Sequence, residues 1–216
     1  MPAHPRRTTI QLGVLSVVAL GGVVVFGSLR SAPADPPVAE TAAAESPFLP
    51  QTTATGAATA APWARPTDPT DRAARAGLRM LGTEGTVEHI HAHLAISVDG
   101  QAQTVPGEIG IDNPSSTVSP LHTHDETGII HVESPVPADF TLGQFFTEWN
   151  VALDPTRIGS YVASPTETFT VFIDKKPYTG DPASIVFTNR MEIDLVVSAA
   201  GTAAEPSPAF DWPTQY

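Results

Sequence analysis

The 216-residue chain contains no cysteine. That absence excludes disulfides, zinc ribbons, thiolate-bound metals, cysteine nucleophiles and a lipoprotein anchor. Methionine is scarce, three in all and scattered, which argues against a thioether site for Cu(I). Basic residues are few. Eleven Lys and Arg stand against 23 Asp and Glu, a net charge of −12, and such a chain lacks the clustered cations that nucleic-acid phosphates need. No serine sits in a G-x-S-x-G elbow, and Gly107, Gly110 and Gly128 do not form a phosphate loop. What the chain does have is 22 prolines, 16 glycines and seven histidines. Its chemistry therefore rests on imidazole.

One long apolar run is present. Residues 1–9 carry His4, Arg6 and Arg7 and read as a cytosolic start. Residues 10–29 are uncharged and apolar, long enough to span a bilayer as a helix. The arginines at its head orient the bulk of the chain outside the cell. The expected localisation is the cell membrane, single-pass, with the N-terminus inside and the remainder extracytoplasmic. The alternative is secretion after cleavage in the small-residue stretch near Ala34. Residues 30–70, rich in Ala, Pro and Thr, read as a disordered stalk. A short helix is expected over 71–82, capped by Asp71 and stopped by Gly82. Residues 71–200 form the expected folded domain, and 201–216 a disordered tail.

Within the domain the apolar period is mostly two. Ile90, Ala92, Leu94, Ile96 and Val98 share one parity, and His89, His91 and His93 the other, as on a strand with one apolar face. Asp99-Gly100 is a hairpin signal, with the returning strand expected over 101–111. Leu121 to Thr123 and Ile130 to Val132, joined through Asp125-Glu126-Thr127-Gly128, read as a second hairpin with imidazoles on both arms. Leu142, Phe145, Phe146 and Trp149 mark an amphipathic helix. Thr141 and Gln144 supply a capping box, and Phe140 with Phe145 a hydrophobic staple. Strands at Phe169–Ile173, turning at Asp174–Pro177, and at Met191–Val197 complete an α+β, mixed-sheet domain.

The order of short strand, Gly turn, second strand, helix beginning TLGQFF, TVFIDKKPYTG and NRMEIDLVV resembles the β-grasp pattern of ubiquitin-like and sulfur-carrier domains. The likeness covers about 94–111 and 140–197, and it implies a single-helix sheet with the His-rich hairpin inserted. The C-terminal Gly-Gly of the carriers is absent, so carrier function is not implied. The phrases HIHAHLAISVDG, SPLHTHDETGIIHVESP and FTLGQFFTEW also resemble a group of bacterial membrane-anchored extracytoplasmic proteins, a likeness that implies placement and no activity.

Six of the seven histidines fall between 89 and 131, as H-x-H-x-H, H-x-H and H-x-E. Alternate strand residues share a face roughly 6.5–7 Å apart, so two such strands side by side bring several imidazoles to one ion. Imidazole suits Zn and Cu. The expected ligands of Cu(II) or Zn(II) are His91, His93, His122, His124 and His131. His89, Asp125 and Glu133 are further ligands or orienting groups, with a turn role open for Asp125 and a solvent-facing one for Glu133. His124 and Glu133 lie nine positions apart, which does not match cupin spacing.

Three functions follow from these residues. The first is a membrane-tethered, extracytoplasmic copper- or zinc-binding domain for metal handling or sensing, its partners being the membrane and the ion. The second is a hydrolytic or oxidative metalloenzyme with a three-His site. The third is a structural or interaction domain with pH-responsive histidines. The first is the reading carried forward, with an enzyme the less favoured one.

Overall fold

The computed structural model describes residues 48–216. The cytosolic start, the expected transmembrane segment 10–29, the cleavage stretch near Ala34 and residues 30–47 of the expected stalk lie outside the described residues. Among the described residues, no helix is long and apolar enough to cross a membrane.

Helix α1 spans Pro69–Arg75 and strand β1 Glu88–Val98. Strand β2 is Gln101–Gln103, and β3 (Ile111–Asp112) with β4 (Thr117–Val118) makes a small ribbon. Strands β5 (Leu121–His122) and β6 (Ile129–Ser134) precede helix α2, Leu142–Trp149. A second ribbon, β7 (Leu153–Asp154), β8 (Arg157–Ile158) and β9 (Tyr161–Val162), leads to β10 (Glu167–Ile173), β11 (Lys176–Tyr178) and β12 (Met191–Ala199). The main sheet has seven strands in the order β11-β10-β12-β1-β6-β5, with β2 paired to β1. The class is α+β, as expected, with a mixed sheet and two α-helices, where the β-grasp likeness implies a single one.

Strand β1 organises this sheet. Its residues Ala92–Val98 pair in parallel with Met191–Val197 of β12. Its first half, Glu88–His93, pairs antiparallel with β6, and its last three residues with β2. Leu94, Ile96, Ile130, Val132, Leu121, Ile193 and Leu195 join Phe145, Phe146 and Trp149 in one buried core. Every residue of α2 is buried. Thr141 and Gln144 form the capping box, each side chain bonding the other's backbone N–H.

Several local expectations are corrected. Helix α1 starts at Pro69, whose fixed φ suits a first helical turn, and ends early. Gly77, at φ +70°, lets the Leu78 N–H return to the Ala73 carbonyl, so Gly82 is not the stop. The strand after Asp99-Gly100 covers three residues rather than eleven, because β6 takes over the same edge of β1 from His93. The turn after β10 is two residues, Asp174 and Lys175, both at positive φ. Pro177 lies within β11, an edge strand that tolerates it.

The larger correction concerns the stalk and the tail. Residues 48–70 are packed, not extended. The Phe48 ring lies 5.6 Å from Phe140, and Trp63 meets Trp149 edge-on at 5.8 Å. Polar side chains of α2 take up the backbone of this segment. Gln144 donates to the Leu49 carbonyl, Thr141 to that of Gln51, and Thr147 accepts the Thr55 N–H at 2.9 Å. An Ala/Pro/Thr average over forty residues hides two aromatic anchors and a helix that carries its own partners. The tail is likewise held. Ser207 bonds Asp194, the Phe210 N–H donates to Glu192 at 3.0 Å, and Arg190 donates to the Tyr216 carbonyl.

Replacing Trp63 with Ala should destabilise the protein by about 3–5 kcal/mol, the usual cost of removing a buried aromatic. Denaturant unfolding measures this. A loss under about 0.5 kcal/mol would return residues 48–70 to a stalk.

Candidate metal centre

Strand pairing sets the geometry of the histidines. The register aligns His91 of β1 with His131 of β6, and His131 with His122 of β5. One imidazole from each of three adjacent strands therefore forms a row across the sheet. His89 stands opposite Glu133 in the next pair. The face opposite the row carries Ile90, Ala92, Ile130 and Val132, the apolar side.

Although this is the polar face by alternation, His91, His93, His122, His131 and Glu133 are all buried. The segment that ends at Tyr216 covers it. The Tyr216 ring lies 4.3 Å from that of His91 and 5.4 Å from that of His131. Phe210 stacks on His93 at 3.8 Å and 15°. The solvated role left open for Glu133 is thereby removed, and its carboxylate lies among imidazoles.

Two ring nitrogens are oriented by their neighbours. His122 Nδ1 donates to the Ser119 carbonyl at 3.0 Å. Its proton is therefore on Nδ1, and Nε2 is a bare lone pair. That Nε2 accepts a hydrogen bond from His124 Nε2–H at 3.2 Å, and a bound ion would take the place of that proton. His131 Nδ1 donates to Glu133 Oε1 at 2.9 Å, which likewise leaves its Nε2 free to ligate. Ligand atoms of His122, His124 and His131 all lie within 4.8 Å of one another.

Glu84, which the sequence reading did not single out, approaches the same point. Its Oε1 is 3.3 Å from His124 Nε2 and 3.8 Å from His122 Nε2. The loop that carries it is fixed by the paired backbone bonds of Leu81 and Val118 and by Gly85. A Cβ at Gly85 would collide with the backbone of Ser134 and Pro135. No pattern marks Glu84; only the fold brings it to the cluster. A second group, His89, His91 and Glu133, also lies within 4.8 Å, as does Glu84 with His122 and Glu133.

Two expected residues stand apart. His93 belongs to none of the three groups; across the ladder it faces Ile129, and Phe210 stacks on its ring. Asp125 serves its turn, accepting from the Thr127 N–H and hydroxyl at 2.9 and 2.5 Å. The remaining expected residues, His89, His91, His122, His124, His131 and Glu133, are brought together.

Electrostatics suit ligands rather than charged side chains. Burial, aided by the neighbouring imidazoles, pushes His122 down to about 3 and His91 to about 4. Burial also lowers His93. Burial alone would raise Glu133, but the His131 hydrogen bond and the surrounding imidazoles outweigh it and hold the carboxyl below its ordinary range. Neutral imidazole with ionised carboxylate is the protonation state a divalent cation requires. A cleft of about 330 Å³ opens beside His124 and Glu84 and is lined also by Glu108 and Asp112.

Comparison with known proteins finds no matching family model, no matching curated protein and no matching solved structure.

The depressed histidines give the metal-free protein a defined pH dependence. In the unfolded chain they ionise near 6.5. As pH falls below that value the unfolded state binds protons that the folded state refuses. Their stabilisation is complete above pH 6.5 and is lost as pH falls towards 4 and then 3. Thermal unfolding in chelator should show a loss of roughly 2–4 kcal/mol between pH 7 and pH 5. A flat profile down to pH 5 would contradict neutral, buried His91 and His122.

Proposed function

We propose that this protein is a membrane-tethered extracytoplasmic domain that binds Cu(II) or Zn(II) for metal handling or sensing, with His122, His124 and His131 as ligands. One observation carries the reading. His122 Nε2 and His124 Nε2 are 3.2 Å apart, and His122 Nε2 bears no proton. Two nitrogens bound at about 2.0–2.1 Å to a tetrahedral ion lie about 3.3 Å apart. Glu84 Oε1, 3.3 Å from His124 Nε2, fits a fourth ligand. The absence of cysteine favours a borderline divalent ion over Cu(I). The acidic cleft at His124 offers a cation an approach. The membrane tether and extracytoplasmic location rest on residues 10–29 and the arginines before them.

The fold is read as β-grasp-like. Hairpin β1–β2, helix α2 and strands β10, β11 and β12 follow in order, with β1 and β12 parallel and adjacent. Hairpin β5–β6, which carries the ligands, is the insertion. A metalloenzyme is the second reading, favoured by the same cleft, whose volume accommodates a small substrate beside His124. Turnover together with an exchangeable metal-bound water separates it from a binding domain.

The test is a competition titration of the full-length chain, in detergent and without a His-tag. Wild type should bind Zn(II) or Cu(II) below micromolar Kd. Losing even an orienting group costs 10–100-fold, so His122→Ala should weaken binding by about 100-fold or more. Equal affinity in the variant, or only millimolar binding by wild type, would sink the proposal.

A further inference from the structure

The row of histidines continues past the site just proposed. His89 Nε2 lies 3.5 Å from Glu133 Oε1, and His91 Nε2 lies 3.9 Å from the same oxygen. Both gaps are too long for hydrogen bonds. They match the spacing of about 3.3–4 Å that an ion with bonds of about 2.0–2.1 Å imposes on ligands not opposite one another.

An independent observation singles out this place. His91 is 5% exposed, and its Nε2 is buried with no hydrogen-bond partner among the described residues. A buried ring nitrogen left unpaired is costly. No neighbouring polar atom bonds it, and the Tyr216 ring, its centroid 4.3 Å from that of His91 and tilted by 40°, packs beside it. His93 Nδ1 is unpartnered as well, but Phe210 lies against its ring and no carboxylate is grouped with it. At His91 the lone nitrogen instead belongs to a set with a second imidazole and a carboxylate.

We infer that His89, His91 and Glu133 form a second divalent-metal site, so that the chain binds two ions in one continuous cluster. The inference builds on the metal-binding reading of His122, His124 and His131, and the two can fail separately. Glu133 is the joint between the sites, because the oxygen that faces His89 and His91 also accepts from His131 Nδ1. Filling one site therefore alters the other. Two dications so close repel each other, and the second ion should bind at least about tenfold more weakly than the first.

The experiment is Zn(II) stoichiometry and stepwise affinity of the full-length chain in detergent, without a His-tag, by elemental analysis and titration. Wild type should take up two equivalents. His89→Ala should retain one, the tighter. The His89 side chain is half exposed, so its truncation leaves the fold intact, and circular dichroism verifies this. His91→Gln should give the same count, whereas the double variant His122→Ala, His124→Ala should lose the tight ion. Wild type binding one ion, with His89→Ala unchanged, would overturn the second site and leave the first standing. Two ions in both wild type and His89→Ala would overturn the ligand assignment. No ion in wild type would remove both sites.

Discussion

The arrangement depends on the pairing register of three strands. Strand side chains alternate between faces, so a shift of one residue in β1, β5 or β6 would send the imidazoles into the apolar core and the core residues into the cluster. The register His91–His131–His122 is protected by that alternation, because Ala92, Ile130 and Leu121 are almost fully buried on the other face. The hydrophobic effect thus fixes the position of a polar site. Burial of the row does the rest. It keeps His91 and His122 neutral, which removes their repulsion with the His131 imidazole between them and leaves their lone pairs available.

Burial requires a cover, and the chain supplies it from its far end. The segment after β12 crosses the histidine face, held by polar contacts with Asp194 and Glu192 and by rings over His93, His91 and His131. Lys175 joins the same two carboxylates, at 2.9 Å from Glu192 and 3.0 Å from Asp194. The opposite side of the domain is closed by residues 48–63 on α2. The sheet is therefore covered on both faces, and the cluster meets solvent at its two ends, at His124 and Glu84 and at His89, each near half exposed.

Much of this was legible in the residues themselves. The H-x-H and H-x-E parity, the α2 capping box and the strands at β1, β6, β10 and β12 are local signals, and the structure carries each of them. Two kinds of fact were not legible. Segments poor in large apolar residues are ordered by a few anchors, Phe48 and Trp63 at one end, Phe210 and Tyr216 at the other, which an average over the segment dilutes. Contacts between distant parts of the chain leave no spacing to read. Glu84 enters the cluster through a loop bound to β4, and His93 stands outside it, opposite Ile129 and under the Phe210 ring. H-x-H-x-H alone suggests three equivalent ligands, where the fold makes His89 and His91 partners of Glu133 and sets His93 aside.

The central claim is that imidazole nitrogens from neighbouring strands hold a divalent ion. X-ray absorption at the metal edge of the Zn(II)-loaded full-length protein, at one equivalent, tests it most directly. The spectrum should show about three imidazole nitrogens at about 2.0–2.1 Å, with the multiple scattering of their rings and one further oxygen. A six-coordinate shell of oxygens alone, without imidazole scattering, would assign the ion to surface carboxylates and contradict the account.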